Sequence, residues 1–250
     1  MTLSTLGPEA WIALTLGAVV VGAAKTAIGN LGSIAVALFA LALPTRESTG
    51  ALLPLLICGD LLAIRLYARH AHWPTLRRLL PGVVPGLLLG AWFLSVVDEE
   101  VLRPGIGITL IAMTAVGFWT LRRRRAATDD LPPPRLLITG PMGVAAGFAT
   151  MTANAAGPVT AVYLMMAGLP MLELLGTGAW FYLCVNVAKL PLSAGLHLVS
   201  PASLLVDLTL VPALLLGAWA GARLIKRIEQ RQFEIAVLSL GAVAGVVLIV

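Results

Sequence analysis

The sequence contains few charged residues for its length. Asp, Glu, Lys and Arg make up 12% of the 250 residues, whereas about 25% is usual for a soluble globular protein. Hydrophobic residues make up 59%, which leaves too few polar side chains to cover a surface exposed to water. The composition therefore argues against a soluble globular fold and predicts an integral membrane protein.

Side chains that bind metals are also rare. The two cysteines, Cys58 and Cys184, lie inside apolar segments, and the three histidines are scattered. Neither a disulfide framework nor a four-ligand zinc site can be built from them. We expect no metal and no cofactor. The formal net charge of +5 is better explained by basic residues at the cytoplasmic membrane face than by nucleic-acid binding.

Apolar stretches follow one another along most of the chain. A membrane-spanning helix needs about 20 apolar residues, and eight stretches are suitable: 9–28, 48–67, 76–97, 101–121, 136–153, 173–197, 203–222 and 233–250. Two more, 31–43 and 157–168, are too short, since a helix rises 1.5 Å per residue. Each of these follows a break rich in Gly, Asn or Ala. The sequence leaves open whether these short helices cross the membrane or re-enter it.

The two halves of the chain resemble each other. Residues 85–92 reappear as 212–219 with one difference, and at a nearly equal offset Gly50 matches Gly176 and Asp60 matches Asn186. We therefore predict an all-α polytopic membrane protein with two repeats of about five helical segments, each containing a short discontinuous or re-entrant helix. The first repeat is 1–121, the cytoplasmic linker is 122–135, and the second repeat is 136–250.

The distribution of charge predicts that the repeats are inverted. Most Lys and Arg fall in three clusters, at 65–78, 122–135 and 223–231, and all three should face the cytoplasm. The acidic turn 98–100 lies between the first two clusters and is expected outside. By the repeat, 98–103 corresponds to 223–231. One of these segments is outside and the other inside, so the halves enter the membrane in opposite directions.

The two breaks are predicted to bind an anion. Irregular backbone at membrane depth is tolerated where it lines a cavity, and the start of a short helix presents free N–H groups and a positive dipole end. The candidate binding residues are Gly29, Asn30, Gly32 and Ser33 in the first break and Asn154, Ala155 and Gly157 in the second. The alternative is that each break is only a tight turn between closely packed helices.

Ionisable residues inside apolar helices are stronger evidence for a functional site than the two breaks are. Lys25, Asp60 and Lys189 lie within predicted spans, where a charge costs about 2.5–3.5 kcal/mol on insertion scales. In the functional interpretation, Lys25, Lys189 and Asn186 bind an anion while Asp60 takes up or releases a coupling proton. In the structural interpretation, Asp60 forms an ion pair with either lysine. Asp207 is expected at the membrane interface.

The aromatic residues give weaker expectations. The repeat-matched Trp92 and Trp219 are predicted to pack between helices. Tyr163, Trp180 and Tyr182 are expected either to line a cavity or to pack in the core.

Several motifs resemble the sulfite exporter TauE/SafE family, also called the toluene sulfonate uptake permease family. In the first half they are Gly22-Ala23-Ala24-Lys25 before the break, the stretch 52–60, and 67–73. In the second half they are 154–158, 163–164, 176–181 and 186–191. The resemblance covers nearly the whole chain. It implies a multi-pass permease of the bacterial inner membrane that carries small anions such as sulfite, thiosulfate, sulfonates or carboxylates.

The sequence thus predicts a secondary transporter that moves a small anion by alternating access, with proton coupling through Asp60. Its expected partners are the anionic substrate and membrane lipid, with no nucleic acid, and a homo-oligomer is left open. The first alternative is an anion channel, although rings of like charge are not evident. An intramembrane enzyme is less favoured, because no His-Glu-x-x-His helix or second membrane aspartate motif is present.

Overall fold

The structure is a computed structural model. It describes residues 6–27, 32–98 and 136–224, together with single residues within 100–122 and 235–246. Every regular element in the three continuous stretches is a helix. The predicted helices 101–121 and 233–250, and nearly all of the linker 122–135, fall largely outside the described residues.

The described helices agree closely with those predicted from hydropathy; the largest difference is three residues, at the starts of α3 (45 instead of 48) and α4 (73 instead of 76). A 3-10 turn, Ala68–His70, follows α3. The helices are α1 (Pro8–Thr26), α2 (Gly32–Ala42), α3 (Thr45–Tyr67), α4 (Trp73–Val96), α5 (Leu136–Ala153), α6 (Gly157–Met166), α7 (Met171–Gly195) and α8 (Pro201–Leu224).

Proline explains several helix starts. Pro8 and Pro201 are the first residues of α1 and α8, where the missing N–H is not needed and the fixed φ suits a helix. Pro44 and Pro170 stand immediately before α3 and α7. These prolines set the boundaries that the hydropathy pattern alone leaves vague.

Four of the described helices are long and apolar enough to cross a membrane. They correspond to α1, α3 with its 3-10 turn, α4 and α8. Helix α7 has 25 residues and is also long enough, but it carries Glu173, Asn186 and Lys189. The chain is therefore an α-helical protein with several helices suited to a bilayer.

Helices α1 and α8 form one close parallel pair. A Cβ atom at Gly22 would lie 2.0 Å from the Leu214 carbonyl oxygen, and one at Gly217 would lie 1.9 Å from the Val19 carbonyl oxygen. Further along both helices, Gly221 packs against Ala23. Only glycine permits backbones to approach this closely. The contacts advance together along both helices, which therefore run in the same direction.

Helices α4 and α5 form a second parallel pair of the same kind. A Cβ atom at Gly86 would lie 2.2 Å from the Val144 carbonyl oxygen. Gly82 faces Gly140 near the start of α5, and Gly90 faces Met151 near its end.

Helices α3 and α7 meet in an antiparallel arrangement. Gly50 near the start of α3 packs on Leu198 just beyond α7, and Gly176 near the start of α7 packs on Tyr67 at the end of α3. The middles of α3 and α7 therefore face each other. Helix α2 packs against α1 and α3 and buries Phe39.

The prediction that Trp92 and Trp219 pack between helices is wrong. Their side chains are 64% and 60% exposed on the chain, and the Trp219 ring lies 3.6 Å from the guanidinium carbon of Arg223. In a bilayer the lipid tails are as apolar as a protein core, so burying an indole between helices gains little. A repeated aromatic in a membrane helix is therefore weak evidence for helix packing.

Candidate functional site

A buried ion pair joins α1 to α3. Lys25 Nζ lies 2.6 Å from Asp60 Oδ1, and the two side chains are 9% and 0% exposed. Lys25 is in the last turn of α1, and Asp60 is near the middle of α3. The structural alternative raised for Asp60 is therefore realised with Lys25. Two opposite charges in contact are much less costly inside a membrane protein than either charge alone.

Asp60 also connects the two halves of the chain. Its second carboxylate oxygen, Oδ2, accepts a hydrogen bond of 2.7 Å from Asn186 Nδ2 on α7. Asn186 is the residue that the sequence repeat matches to Asp60. The midpoint of the α3–α7 contact is thus a polar bridge between repeat-matched positions.

Gly59 allows Lys25 to reach this bridge. A Cβ atom at Gly59 would lie 2.8 Å from Lys25 Cγ, so the aliphatic part of the lysine crosses α3 where that helix has no side chain. The sequence analysis missed this role, because the contact joins residues that are distant in sequence.

A small cavity lies beside the ion pair. Its volume is about 30 Å³, and a buried water needs roughly 10–15 Å³ by the same kind of measure. Its wall combines the ion pair with mostly apolar side chains from α3, α6 and α7. The lining residues are Lys25, Asp60, Ala63, Ala161, Leu164, Leu174, Leu175, Gly178, Ala179 and Tyr182.

Tyr182 lines the cavity. The sequence left open whether it would line a cavity or pack in the core. The Lys25 ammonium nitrogen lies 4.5 Å from the centre of its ring, within the range of a cation–π interaction. Lys25 therefore touches a carboxylate, an aromatic face and the cavity.

The second buried lysine has a different environment. Lys189 is 1% exposed, and its ammonium donates 2.6 Å to the Thr150 carbonyl oxygen and also donates to Asn154 Oδ1. The Asn154 amide donates 3.0 Å to the Thr49 carbonyl oxygen on α3. We call Lys189, Asn154, Thr150 and Thr49 the Lys189 node. The oxygens that accept hydrogen bonds from Lys189 are neutral, and none of the members of the node lines the cavity.

The end of α5 explains the geometry of this node. Asn154 has a φ of 49°, a left-handed conformation that Asn tolerates better than most residues. The Asn154 N–H donates 3.0 Å to the Thr150 carbonyl oxygen, the single bond of an αL helix cap. The Ala155 N–H donates 3.1 Å to the Ala149 carbonyl oxygen. The Lys189 ammonium then lies at the negative end of the α5 dipole, where a cation is stabilised.

The predicted binding residues are thus only partly brought together. Lys25, Asp60 and Asn186 form one connected group, and Asn154 and Lys189 form another. Ala155 and Gly157 are buried beside the second break. Gly32 begins α2, whereas Gly29, Asn30 and the side chain of Ser33 lie outside the described residues. Binding by any of these residues stays a prediction.

Asp207 is a further buried carboxyl, and its expected position at the membrane interface stays a prediction. Its side chain is 5% exposed, and among the described residues neither carboxylate oxygen has a hydrogen-bond partner. Within the same part of the chain, no three His, Cys, Asp or Glu side chains are grouped so that they could hold a metal ion.

Chemically, the Lys25–Asp60 pair can exchange partners. The ammonium is a donor that a carboxylate now neutralises, and an anion in the adjoining cavity would compete for it. A proton on Asp60 would neutralise the carboxylate, which would then no longer compete with the anion for the ammonium.

Comparison with known proteins identifies the family of the chain. No curated protein and no solved structure matches the chain. The sulfite exporter TauE/SafE family matches residues 14–248, which is nearly the full length. This match implies a membrane transporter of sulfite-type anions. The chain belongs to the sulfite exporter TauE/SafE family.

Proposed function

We propose that the chain is a secondary transporter that carries a small sulfur oxyanion or sulfonate across the bacterial inner membrane by alternating access. The observation that carries the proposal is the buried Lys25–Asp60 pair beside a cavity. Intramembrane ionisable residues that face a cavity mark ion pathways. Lys25 is the group that binds the anion, and Asp60 is the group that controls its availability.

Two inverted repeats, 1–121 and 136–250, form the proposed architecture, with the linker 122–135 in the cytoplasm. The close parallel pairs support it: exchanging the halves turns α1–α8 into α5–α4, and both pairs are present. The same exchange leaves α3–α7 unchanged, as a contact across a two-fold axis requires. Transporters of this architecture hold substrate near the midplane between repeats.

The basic residues support the proposed orientation. Tyr67 donates a hydrogen bond of 2.6 Å to the Thr26 carbonyl oxygen, so α1 and α3 end at the same level. Because α8 is parallel to α1, Arg223 lies at that end too. Helices α4 and α5 both begin there, next to Arg77 and the linker. This end is the cytoplasmic one by the positive-inside rule, and the chain is multi-pass.

Proton coupling follows from competition for Lys25. When Asp60 is ionised, it neutralises Lys25; when it is protonated, Lys25 is released to the anion. Asp60 is also faced by Asn186 and Lys189, and it lies close enough to Tyr182 and Cys184 to act on them electrostatically. Anion binding should therefore strengthen as the pH falls.

The breaks complete the proposed site. The backbone N–H groups near Gly29, Asn30, Gly32 and Ser33 are suited to the oxygens of an anion, and this end of α1 also carries Lys25. The residues of the second break, Asn154, Ala155 and Gly157, with Lys189, are proposed to bind the same class of anion from the other repeat.

A ligand screen tests this function. Purified protein is melted with sulfite, thiosulfate, methanesulfonate or acetate, with choline chloride as the salt control. A ligand at 100 times its Kd stabilises the folded state by about 2.7 kcal/mol, so at least one sulfur anion should raise the Tm. The same anion should show counterflow in proteoliposomes.

The matched variants separate this site from a general salt effect. Lys25→Met combined with Asp60→Asn removes both charges of the pair and should abolish the counterflow and reduce the shift. Asp207→Asn changes another buried carboxyl and should retain both. An absence of any shift or flux with all four anions would contradict the proposed function.

A further inference from the structure

The cavity lies on one side of the α3–α7 contact. On α7 it is lined by Leu174, Gly178 and Tyr182. The offset that matches Asp60 to Asn186 matches these residues to Ser48, Leu52 and Leu56 on α3. The three counterparts are 3%, 1% and 5% exposed. Among the described residues, the α7 surface that lines the cavity therefore has a buried counterpart on α3, which we call the sealed surface.

The sealed surface has a cation of its own. Ala63 lines the cavity, and the same offset matches it to Lys189. The Lys189 node thus lies where the repeat would put a second cavity. Its ammonium is held by the Thr150 carbonyl oxygen and by Asn154 Oδ1, and the Asn154 amide closes onto Thr49 of α3.

We propose that the Lys189 node is a second anion half-site, closed in this conformation, that takes the same class of small oxyanion when the protein opens to the opposite side. This inference rests on the proposed function. When α3 moves away, Thr49 releases the Asn154 amide. That amide and the Lys189 ammonium then become two donors that face one anion.

The two half-sites differ in how their cations are neutralised. Asp60 neutralises Lys25 at 2.6 Å, whereas Lys189 contacts oxygens with only partial charge. Fixed dipoles stabilise an ammonium without removing its charge, so Lys189 keeps its attraction for an anion. Opening the node replaces the neutral acceptor Asn154 Oδ1 with a charged oxygen, which adds the attraction between opposite charges to the hydrogen bond.

Thiol labelling from each side of the membrane tests the half-site. In a background with Cys58→Ser and Cys184→Ser, the matched variants are Leu174→Cys and Ser48→Cys. A membrane-impermeant maleimide should label position 174 from the cytoplasmic side and position 48 from the opposite side. Gly178→Cys and Leu52→Cys form a second matched pair if Ser48→Cys does not fold.

Methanesulfonate, which does not react with maleimide, is the probe anion. At ten times its Kd it should slow labelling about tenfold at both positions by mass action. Lys189→Met should remove the protection at position 48 only. Lys25→Met with Asp60→Asn should remove the protection at position 174 only.

The outcomes separate the two proposals. Protection at neither position would count against the transport of a small sulfur anion itself. If position 174 is protected, the transport proposal stands. The half-site alone is then overturned if positions 48 and 52 stay unlabelled from both sides, or if protection at position 48 survives Lys189→Met.

Discussion

Each half of the chain buries one lysine in a predicted membrane helix, and the two lysines are used differently. Lys25 faces a carboxylate, a tyrosine ring and a cavity. Lys189 faces a carbonyl oxygen and an asparagine at the end of α5. The first cation is neutralised by a group that can be protonated, and the second is fixed by dipoles. Burial of a charge therefore does not by itself identify a binding residue; the group that the charge contacts must also be known.

The largest expected effect is on stability. Lys25→Met leaves Asp60 buried without its cation, which should lower the free energy of unfolding by about 3–5 kcal/mol. Lys189→Met leaves only neutral acceptors without a donor, and about 1–3 kcal/mol is expected. Unfolding in detergent measures both. Lys25→Met with Asp60→Asn should recover most of the loss; equal costs for the two single variants would remove the distinction between the lysines.

The two close parallel helix pairs can be compared next. Gly22→Ala places a methyl group 2.0 Å from a carbonyl oxygen between α1 and α8, and Gly147→Ala places one 2.3 Å from a carbonyl oxygen between α5 and α4. Each should lower the free energy of unfolding by about 1–3 kcal/mol. Gly195→Ala is the control, because nothing lies within 4 Å of its Cβ position. Melting temperatures of the three variants would show whether both pairs are equally tight.

The pH dependence of anion binding should follow Asp60 and not Asp207. With one proton bound per anion, the affinity changes by up to about tenfold per pH unit. Asp60→Asn leaves Lys25 without a competing carboxylate and should make the Kd independent of pH. Asp207→Asn should keep the wild-type slope. Titrations at several pH values test this, and an unchanged slope in Asp60→Asn would reduce Asp60 to a structural partner.

The smallest effect is expected for the exposed tryptophans. Trp92→Leu should change stability by less than about 0.5 kcal/mol, because its ring lies on the outside of the chain. Trp219→Leu also loses the contact with Arg223, worth about 0.5–1 kcal/mol at an exposed site. Melting curves of both variants would reveal any larger role, such as packing against a second copy.

Much of the helical framework could be predicted from the sequence. Long apolar stretches gave helix boundaries close to those observed, and prolines such as Pro8, Pro44 and Pro201 account for the observed starts. The duplication also pointed to the Asp60–Asn186 position before any contact was known. Both features are local or periodic, so a single sequence contains them.

The candidate site was less predictable because it depends on contacts between distant segments. The sequence offered Asp60 two lysines as partners and could not choose between them. It did not indicate that Gly59 makes room for Lys25 or that the end of α5 captures Lys189. The aromatic expectation failed for Trp92 and Trp219, since lipid and protein core are equally apolar solvents for an indole.

The most direct measurement is anion binding to three proteins at one pH: wild type, Asp60→Asn, and Lys25→Met with Asp60→Asn. The sulfur anion that raises the wild-type melting temperature should bind Asp60→Asn at least as tightly, because Lys25 is then unopposed. It should bind the double variant much more weakly, because Lys25 is then absent. Equal stabilisation of the double variant by that anion would contradict the assignment of Lys25 as the residue that receives it.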